Sequence, residues 1–283
     1  MILTDFIVPS RANARWLYSG IDSPGRSLDK NHFDNFKYFV EYQYNSRGYR
    51  DQEWPKNLSD VIWCIGDSFT VGIGSPLNHT WPQILKLKTR KPIVNVSMDG
   101  GSNSWMSRKI LRLFEVIKPK HLVVHWSYLH RRERDYCTVL NNHWQNFYNN
   151  VKDKTWPACP DLKDKSQLPT YILEELTTHS QSWQSSVSDE DLKLHYTRSS
   201  NKEDVELTIQ NILTVENHKG SCDIIHSIIP DYAPEEYQQL FNSQLPTTIK
   251  FIPKFKKLDL ARDGYHYDID TATYFVDKIT ELL

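Results

Sequence analysis

Between residues 61 and 126, short apolar runs alternate with amphipathic stretches, and that alternation leaves few architectures open. The runs VIWCI at 61–65, PIVNV at 92–96 and LVVHW at 122–126 are too short for buried helices and rich in β-branched residues, so each predicts a buried strand. Between the first two, Thr80 is placed to cap a helix with Trp81, Ile84 and Leu85 on one face. Between the second and third, Ser102 precedes Met106, Ile110, Leu113, Phe114 and Ile117 at helical spacing. Strand, helix, strand, helix, strand predicts a parallel sheet with helices on its faces, right-handed crossovers and ligands outside the carboxyl ends of the strands. The pattern resumes later. Val205, Ile209, Ile212 and Leu213 mark a helix, IIHSII at 224–229 a strand stopped by Pro230, and IKFI at 249–252 another strand. Ala272, Phe275 and Ile279 share one face of a last helix, capped near Asp270.

This periodicity predicts one α/β domain over 61–283, preceded by an extension over 1–60 that packs on it. Within the extension, FKYFVEYQYNSRGYRD alternates and then turns, as a hairpin or edge strand does. From about 131 to 202 the chain is polar, tryptophan-bearing and weakly helical, which predicts an insertion lying over one end of the sheet as a lid.

Composition narrows the class of function. Lys and Arg number 34 against 35 Asp and Glu, a net charge of -1, so there is no basic footprint for nucleic acid or anionic membrane. No apolar run approaches the ~20 residues of a membrane helix, and the N-terminus lacks the layout of a signal peptide. Cys64, Cys137, Cys159 and Cys222 form no CxxC pair, so four free thiols in a reducing, cytoplasmic setting are expected. His125 and His130 flank the third strand without a third ligand at sensible spacing, so no metal is expected.

Chemistry-bearing residues collect at the expected carboxyl ends of strands. Ser68 lies in GDSFTVGIG after the first, Gly100 in NVSMDGGSN after the second, and HWSYLHRRE follows the third. Before the last helix, Asp263 and His266 stand three apart in DGYHYD. That spacing lets the carboxylate hold one imidazole nitrogen while the other faces Ser68. The bland readings are a helix-capping serine, a loop glycine with positive φ, and an Asp turn beside a surface histidine.

These segments resemble the SGNH (GDSL-type) hydrolase superfamily from about residue 61 to the C-terminus, with a gap over the insertion. GDSFT at 66–70 resembles its first block, NVSMDGGSN at 95–103 its second and DGYH at 263–266 its last. The resemblance implies a flavodoxin-like three-layer α/β/α sandwich. It implies Ser68 as nucleophile, Gly100 as oxyanion donor, and Asp263 and His266 as the remainder of a triad, with no cofactor. The third block departs: where the family has Gly-x-Asn-Asp, this chain has His125-Trp126-Ser127-Tyr128. Ser127, Tyr128 or Asn103 is then the expected replacement donor. Arg131, within a charge run through Arg134, is either part of a solvated face or a receiver for an acidic substrate group. Trp126, Trp144, Trp156 and Trp183 are either core or a sugar-stacking wall.

The implied function is a serine esterase acting on a small-molecule or carbohydrate ester, such as an O-acetyl sugar, with acyl transfer as a near variant. The alternative is an SGNH-like module that binds a glycan or protein partner without turnover.

Overall fold

The computed structural model describes Phe6, residues 12–13, 15–18, 40–58, 60–131 and 201–283. The expected lid, Trp144, Trp156, Trp183, Cys137 and Cys159 lie outside the described residues.

Strands β1 (Arg15–Tyr18) and β2 (Val40–Gln43) pair antiparallel in a small sheet of their own. The main sheet is built from β3 (Ile62–Gly66), β4 (Ile93–Asn95), β5 (His121–Trp126), β6 (Asp223–Ile228) and β7 (Phe251–Ile252). Every pairing in it is parallel, in the order β4-β3-β5-β6-β7, which is the flavodoxin-like order. The helices are α1 (Ser68–Val71), α2 (Trp81–Thr89), α3 (Asn103–Val116), α4 (Lys202–His218), α5 (Glu235–Gln244) and α6 (Ile269–Leu282). Helix α2 packs with α6, and α3 packs with α4, which in turn meets α5.

The residues of β5 show how the sheet divides two layers. His125 stacks among Phe255, Phe275 and Trp81, on the side of α2 and α6. Its neighbour Trp126 donates to His226 Nδ1 (3.0 Å), and the far nitrogen of His226 meets Glu216 of α4 (2.9 Å). Alternate residues of one strand thus bury on opposite faces, and the polar atoms they carry inward find hydrogen-bond partners there. The chain is a three-layer α/β/α sandwich around a parallel sheet.

His125 is neutral. Burial pushes its imidazole down to about 3. Ser227 Oγ donates to the Val124 carbonyl, so it accepts from His125 Nδ1–H (2.8 Å), while Nε2 accepts from the Tyr267 hydroxyl (3.2 Å). This tautomer follows from the hydrogen-bond network.

Two helix starts differ from the sequence expectation. Ser102 caps α3 as expected, accepting from Trp105 N. Thr80 stands at the N-cap of α2, but its hydroxyl donates backwards to the Leu77 carbonyl (2.8 Å), because a 3-10 turn at Leu77–His79 ends there. Helix α6 begins earlier than Asp270, at an Asp268 N-cap whose side chain is turned to Ser75 and His79. Its first N–H groups are instead met from outside the helix by Asp259, which accepts from Asp268 N (3.2 Å), Asp270 N (2.8 Å) and Thr271 N (3.0 Å). Three orphan donors on one carboxylate exceed an ordinary cap. Asp259→Ala should lower unfolding stability by about 1–2 kcal/mol in urea titrations, and an unchanged midpoint would refute this capping role.

Residues 40–58 are fastened to the sheet through Asp51. Its carboxylate accepts from Asn95 N at the end of β4 (2.8 Å), from Gln83 of α2 (2.8 Å) and from Gln52 N (2.8 Å). Burial pushes this carboxyl from its ordinary 3.8 up to about 6, although those donors and Lys86 pull it down. The folded chain therefore holds the proton more tightly than the unfolded chain. The resulting stability is fully present below the unfolded value and is lost as pH rises through about 6. The difference amounts to about 3 kcal/mol. Urea titrations at pH 4 and pH 7 should show the unmodified protein losing about 2 kcal/mol more than Asp51→Asn, because at pH 4 the unfolded carboxyl is already partly ionised. Equal losses would show that Asp51 is not the titrating group.

Among the described residues, no helix is long and apolar enough to cross a membrane.

Candidate active site

The site forms where β3 ends. Gly66 closes the strand between Thr70 and β5: a Cβ there would sit 2.0 Å from Thr70 Oγ1 and 2.9 Å from the His125 carbonyl oxygen. Only glycine lets the two strands and the following turn meet this closely. Asp67 then serves as N-cap for the one-turn helix α1, accepting from Phe69 N, and Gly72 ends that helix in the left-handed region at φ 77°. Ser68 is the first residue of α1 and is 4% exposed.

The segment 261–268 brings the other two groups. Gly264, at φ 69°, turns the chain, and Ala261 N donates to the His266 carbonyl (2.7 Å). Inside that turn Asp263 Oδ1 accepts from Tyr265 N and His266 N, both at 3.0 Å. Its Oδ2 lies 2.5 Å from His266 Nδ1, and His266 Nε2 lies 2.8 Å from Ser68 Oγ. The structure thus brings Ser68, His266 and Asp263 into one hydrogen-bonded line. Burial alone would raise the Asp263 carboxyl; the charge and hydrogen bond of His266 and the two backbone donors outweigh it and hold Asp263 below its ordinary value. Asp263 stays an acceptor, which fixes Nδ1 as the protonated nitrogen and leaves Nε2 to receive the serine proton.

Ser68 N–H and Gly100 N–H have no hydrogen-bond partner among the described residues. Gly100 is exposed, at φ 71°, with nothing within 4 Å of where a Cβ would stand, so its turn is conformational in origin and its amide is open to a ligand.

The residues after β5 behave differently. Asn103 Oδ1 accepts from Ser127 N (2.8 Å), and its Nδ2 donates to the carbonyls of Ser127 (3.3 Å) and Tyr128 (3.4 Å) and to Thr208 Oγ1 (3.2 Å). Ser127 Oγ donates to Asp67 Oδ2 (2.5 Å). Two of the three side chains expected as replacement oxyanion donors, Asn103 and Ser127, therefore direct their hydrogens elsewhere. Tyr128 stays at the rim, half-buried, with its ring edge-on to Phe69 (6.4 Å between centroids). Arg131 turns Nη1 inward, to Asp67 Oδ2 (2.9 Å) and Ser127 Oγ (3.0 Å), rather than standing in a solvated run. Burial lifts the Asp67 carboxyl above its ordinary value, and Arg131, Ser127, the Phe69 amide and His266 pull against that rise.

Packing orients the triad. Phe69 lies against the His266 ring (4.5 Å) and near Tyr265 (5.8 Å), and Lys257 Nζ stands over both Tyr265 (4.8 Å) and Phe69 (5.5 Å). Behind Asp263 runs the loop after α1. Tyr42 accepts there from Gly74 N (2.8 Å), and buried Arg50 donates to the carbonyls of Val71, Gly72 and Ser75. Asp67 and Gly74 lie in the segment GDSFTVGIG, and Tyr42 and Arg50 in FKYFVEYQYNSRGYRD, but the sequence assigned none of the four a role at the site.

Gly74 stands beside Asp263. At φ +80°, a Cβ on it would meet Asp263 Oδ1 at 2.9 Å and Ala261 Cβ at 3.0 Å. Gly74→Ala should displace Asp263 and slow fluorophosphonate labelling of Ser68 by about 10²-fold, the usual effect of misplacing a reacting group by ~1 Å. Labelling at the unmodified rate would show that the loop yields without moving the carboxylate.

No protein-family model matches the chain, and no curated protein sequence does. Several solved structures are similar to it. TesA is 11% identical with a TM-score of 0.43, over 79% of this chain and 97% of that one. The psychrotrophic esterase EstA from Pseudoalteromonas sp. is 13% identical with a TM-score of 0.42, over 79% and 96%. A G-D-S-L family protein from Desulfitobacterium hafniense is 12% identical with a TM-score of 0.40, over 80% and 100%. These are likenesses of fold, and the fold assignment rests on the strand order and layers of this chain itself.

Proposed function

We propose that the protein is a serine esterase of SGNH type, cleaving the ester of a small molecule or carbohydrate. The observation that carries the reading is the unbroken Ser68–His266–Asp263 line, with contacts of 2.8 and 2.5 Å. In that reading Ser68 Oγ attacks the ester carbonyl carbon, and its proton passes to His266 Nε2 as the bond forms. Asp263 orients the ring and stabilises the imidazolium. The oxyanion accepts from the amides of Ser68 and Gly100, both unpartnered among the described residues. As the tetrahedral adduct collapses, His266 returns the proton to the departing alkoxide, leaving the acyl group on Ser68. Water, deprotonated by the same imidazole, then attacks the acyl carbon and regenerates the serine. An O-acetyl sugar is the substrate first to be tried, and an alcohol in place of water makes the reaction an acyl transfer.

A second reading is favoured by the commitment of Asn103 and Ser127 to other partners: an SGNH-like module, short of one oxyanion donor, that holds a glycan or a protein. Fluorophosphonate labelling separates the two. The esterase reading expects one adduct on Ser68, absent in Ser68→Ala, and hydrolysis of acetyl esters that falls in that variant by roughly 10³-fold or more. A folded protein that takes no adduct and turns over no acetyl ester would leave the binding module as the better account.

A further inference from the structure

Asp67 sets a carboxylate one residue before Ser68, with no exposure to solvent. The groups facing it are the Phe69 amide on Oδ1, and Ser127 Oγ with Arg131 Nη1 on Oδ2. All three donate, which is the environment of an ionised carboxylate. An ionised Asp67 would repel negative charge developing on an oxyanion held by the Ser68 amide, and around a carboxylate with no exposure to solvent such repulsion is weakly screened. Of its three hydrogen-bonding partners only Arg131 carries a permanent positive charge. Among the described residues the triad members His266 and Asp263 lie beyond these partners, and Lys257 stands over the Phe69 ring and reaches the Tyr265 carbonyl.

We infer that Arg131 is a positioning residue: through Asp67 it fixes the turn that carries Ser68 and offsets the carboxylate's field where the oxyanion forms. The inference rests on the esterase reading above. It gives the third block of this chain a task other than donation: β5 delivers Ser127 and Arg131 to Asp67, and Asn103 pins the Ser127 peptide from both sides. The effect is confined to the transition state, because a neutral ester brings no charge for Asp67 to repel.

Kinetics of 4-nitrophenyl acetate hydrolysis test this with four proteins. Arg131→Gln should lower kcat by about 10- to 100-fold with KM nearly unchanged. Arg131→Lys, which keeps the charge and loses the fork, should stay within about tenfold of the unmodified protein. The decisive variant is Asp67→Asn with Arg131→Gln. The carboxamide that replaces the Asp67 carboxylate keeps an oxygen for the Phe69 amide and presents an N–H to Ser127 Oγ, which then accepts, so the turn is held with neither charge. This double variant should be at least about tenfold faster than Arg131→Gln alone. A purely structural Arg131 makes the double variant no faster than the single one, and that result would overturn the inference. So would unchanged kcat in Arg131→Gln. Should that variant fail to fold, a loss beyond 100-fold in folded Arg131→Lys overturns it equally. Labelling of Ser68 keeps the two levels apart: a labelled protein indifferent to Arg131 removes only this role, whereas an unlabelled, inert protein removes the esterase reading with it.

Discussion

The buried carboxylate of Asp67 ties together the pieces that make the site. It receives the backbone of α1, the side chain of Ser127 at the end of β5 and Arg131 five residues beyond that strand. Burying such a charge is costly unless it is met by donors, and here three meet it. The consequence is positional. A strand end, a one-turn helix and the exit of the neighbouring strand keep one relative arrangement, and Ser68 rides on the part where they meet. Gly66 makes this closeness sterically permissible, since any side chain there would collide with Thr70 and the His125 carbonyl.

A second set of contacts holds the site from the N-terminal side. Asp51 secures the end of β4, Arg50 collects three carbonyls from 71 to 75, and Tyr42 receives the Gly74 amide. Gly74 in turn abuts Asp263. Residues 40–58 are therefore continuous with the framework of the site, through polar contacts to backbone rather than through an apolar interface alone. Guanidinium and carboxylate side chains suit this work, because each satisfies several backbone groups from one point.

The sheet supplies what these contacts need. Parallel strands put all their carboxyl ends on one edge, so residues 66–68, 98–101, 127–131 and the 261–268 turn converge although they are far apart in the chain. His125 lies deeper on the same strand that delivers Ser127. Its ring is held neutral among Phe255, Phe275 and Trp81, as a packing element with both nitrogens satisfied. Asn103, on the first turn of α3, is used just as fully, with its amide closing the loop after β5.

What the amino-acid sequence determined by itself was local or periodic. The apolar runs at 61–65, 92–96 and 122–126 specify buried strands, the spacing from Met106 to Leu113 specifies α3, and Ser102 caps it, because each signal is carried by residues within a few positions of one another. The three blocks around Ser68, Gly100 and Asp263–His266 were legible for the same reason. Tertiary structure decided the remainder. The pairing of β1 with β2, the capping of α6 by Asp259, the burial of Arg50 and Asp51 and the clamp on Asp67 all join residues from nine to sixty-four positions apart. Charged residues in a polar stretch give no local sign that they will be buried. Their burial becomes favourable only when folding brings distant backbone donors, acceptors and countercharges to meet them. The replacement of the third-block Asn shows the limit most clearly. The sequence showed Ser127, Tyr128 and Asn103 as equivalent candidates, and only the packed chain revealed that Ser127 and Asn103 direct their hydrogens to Asp67, to carbonyls and to Thr208.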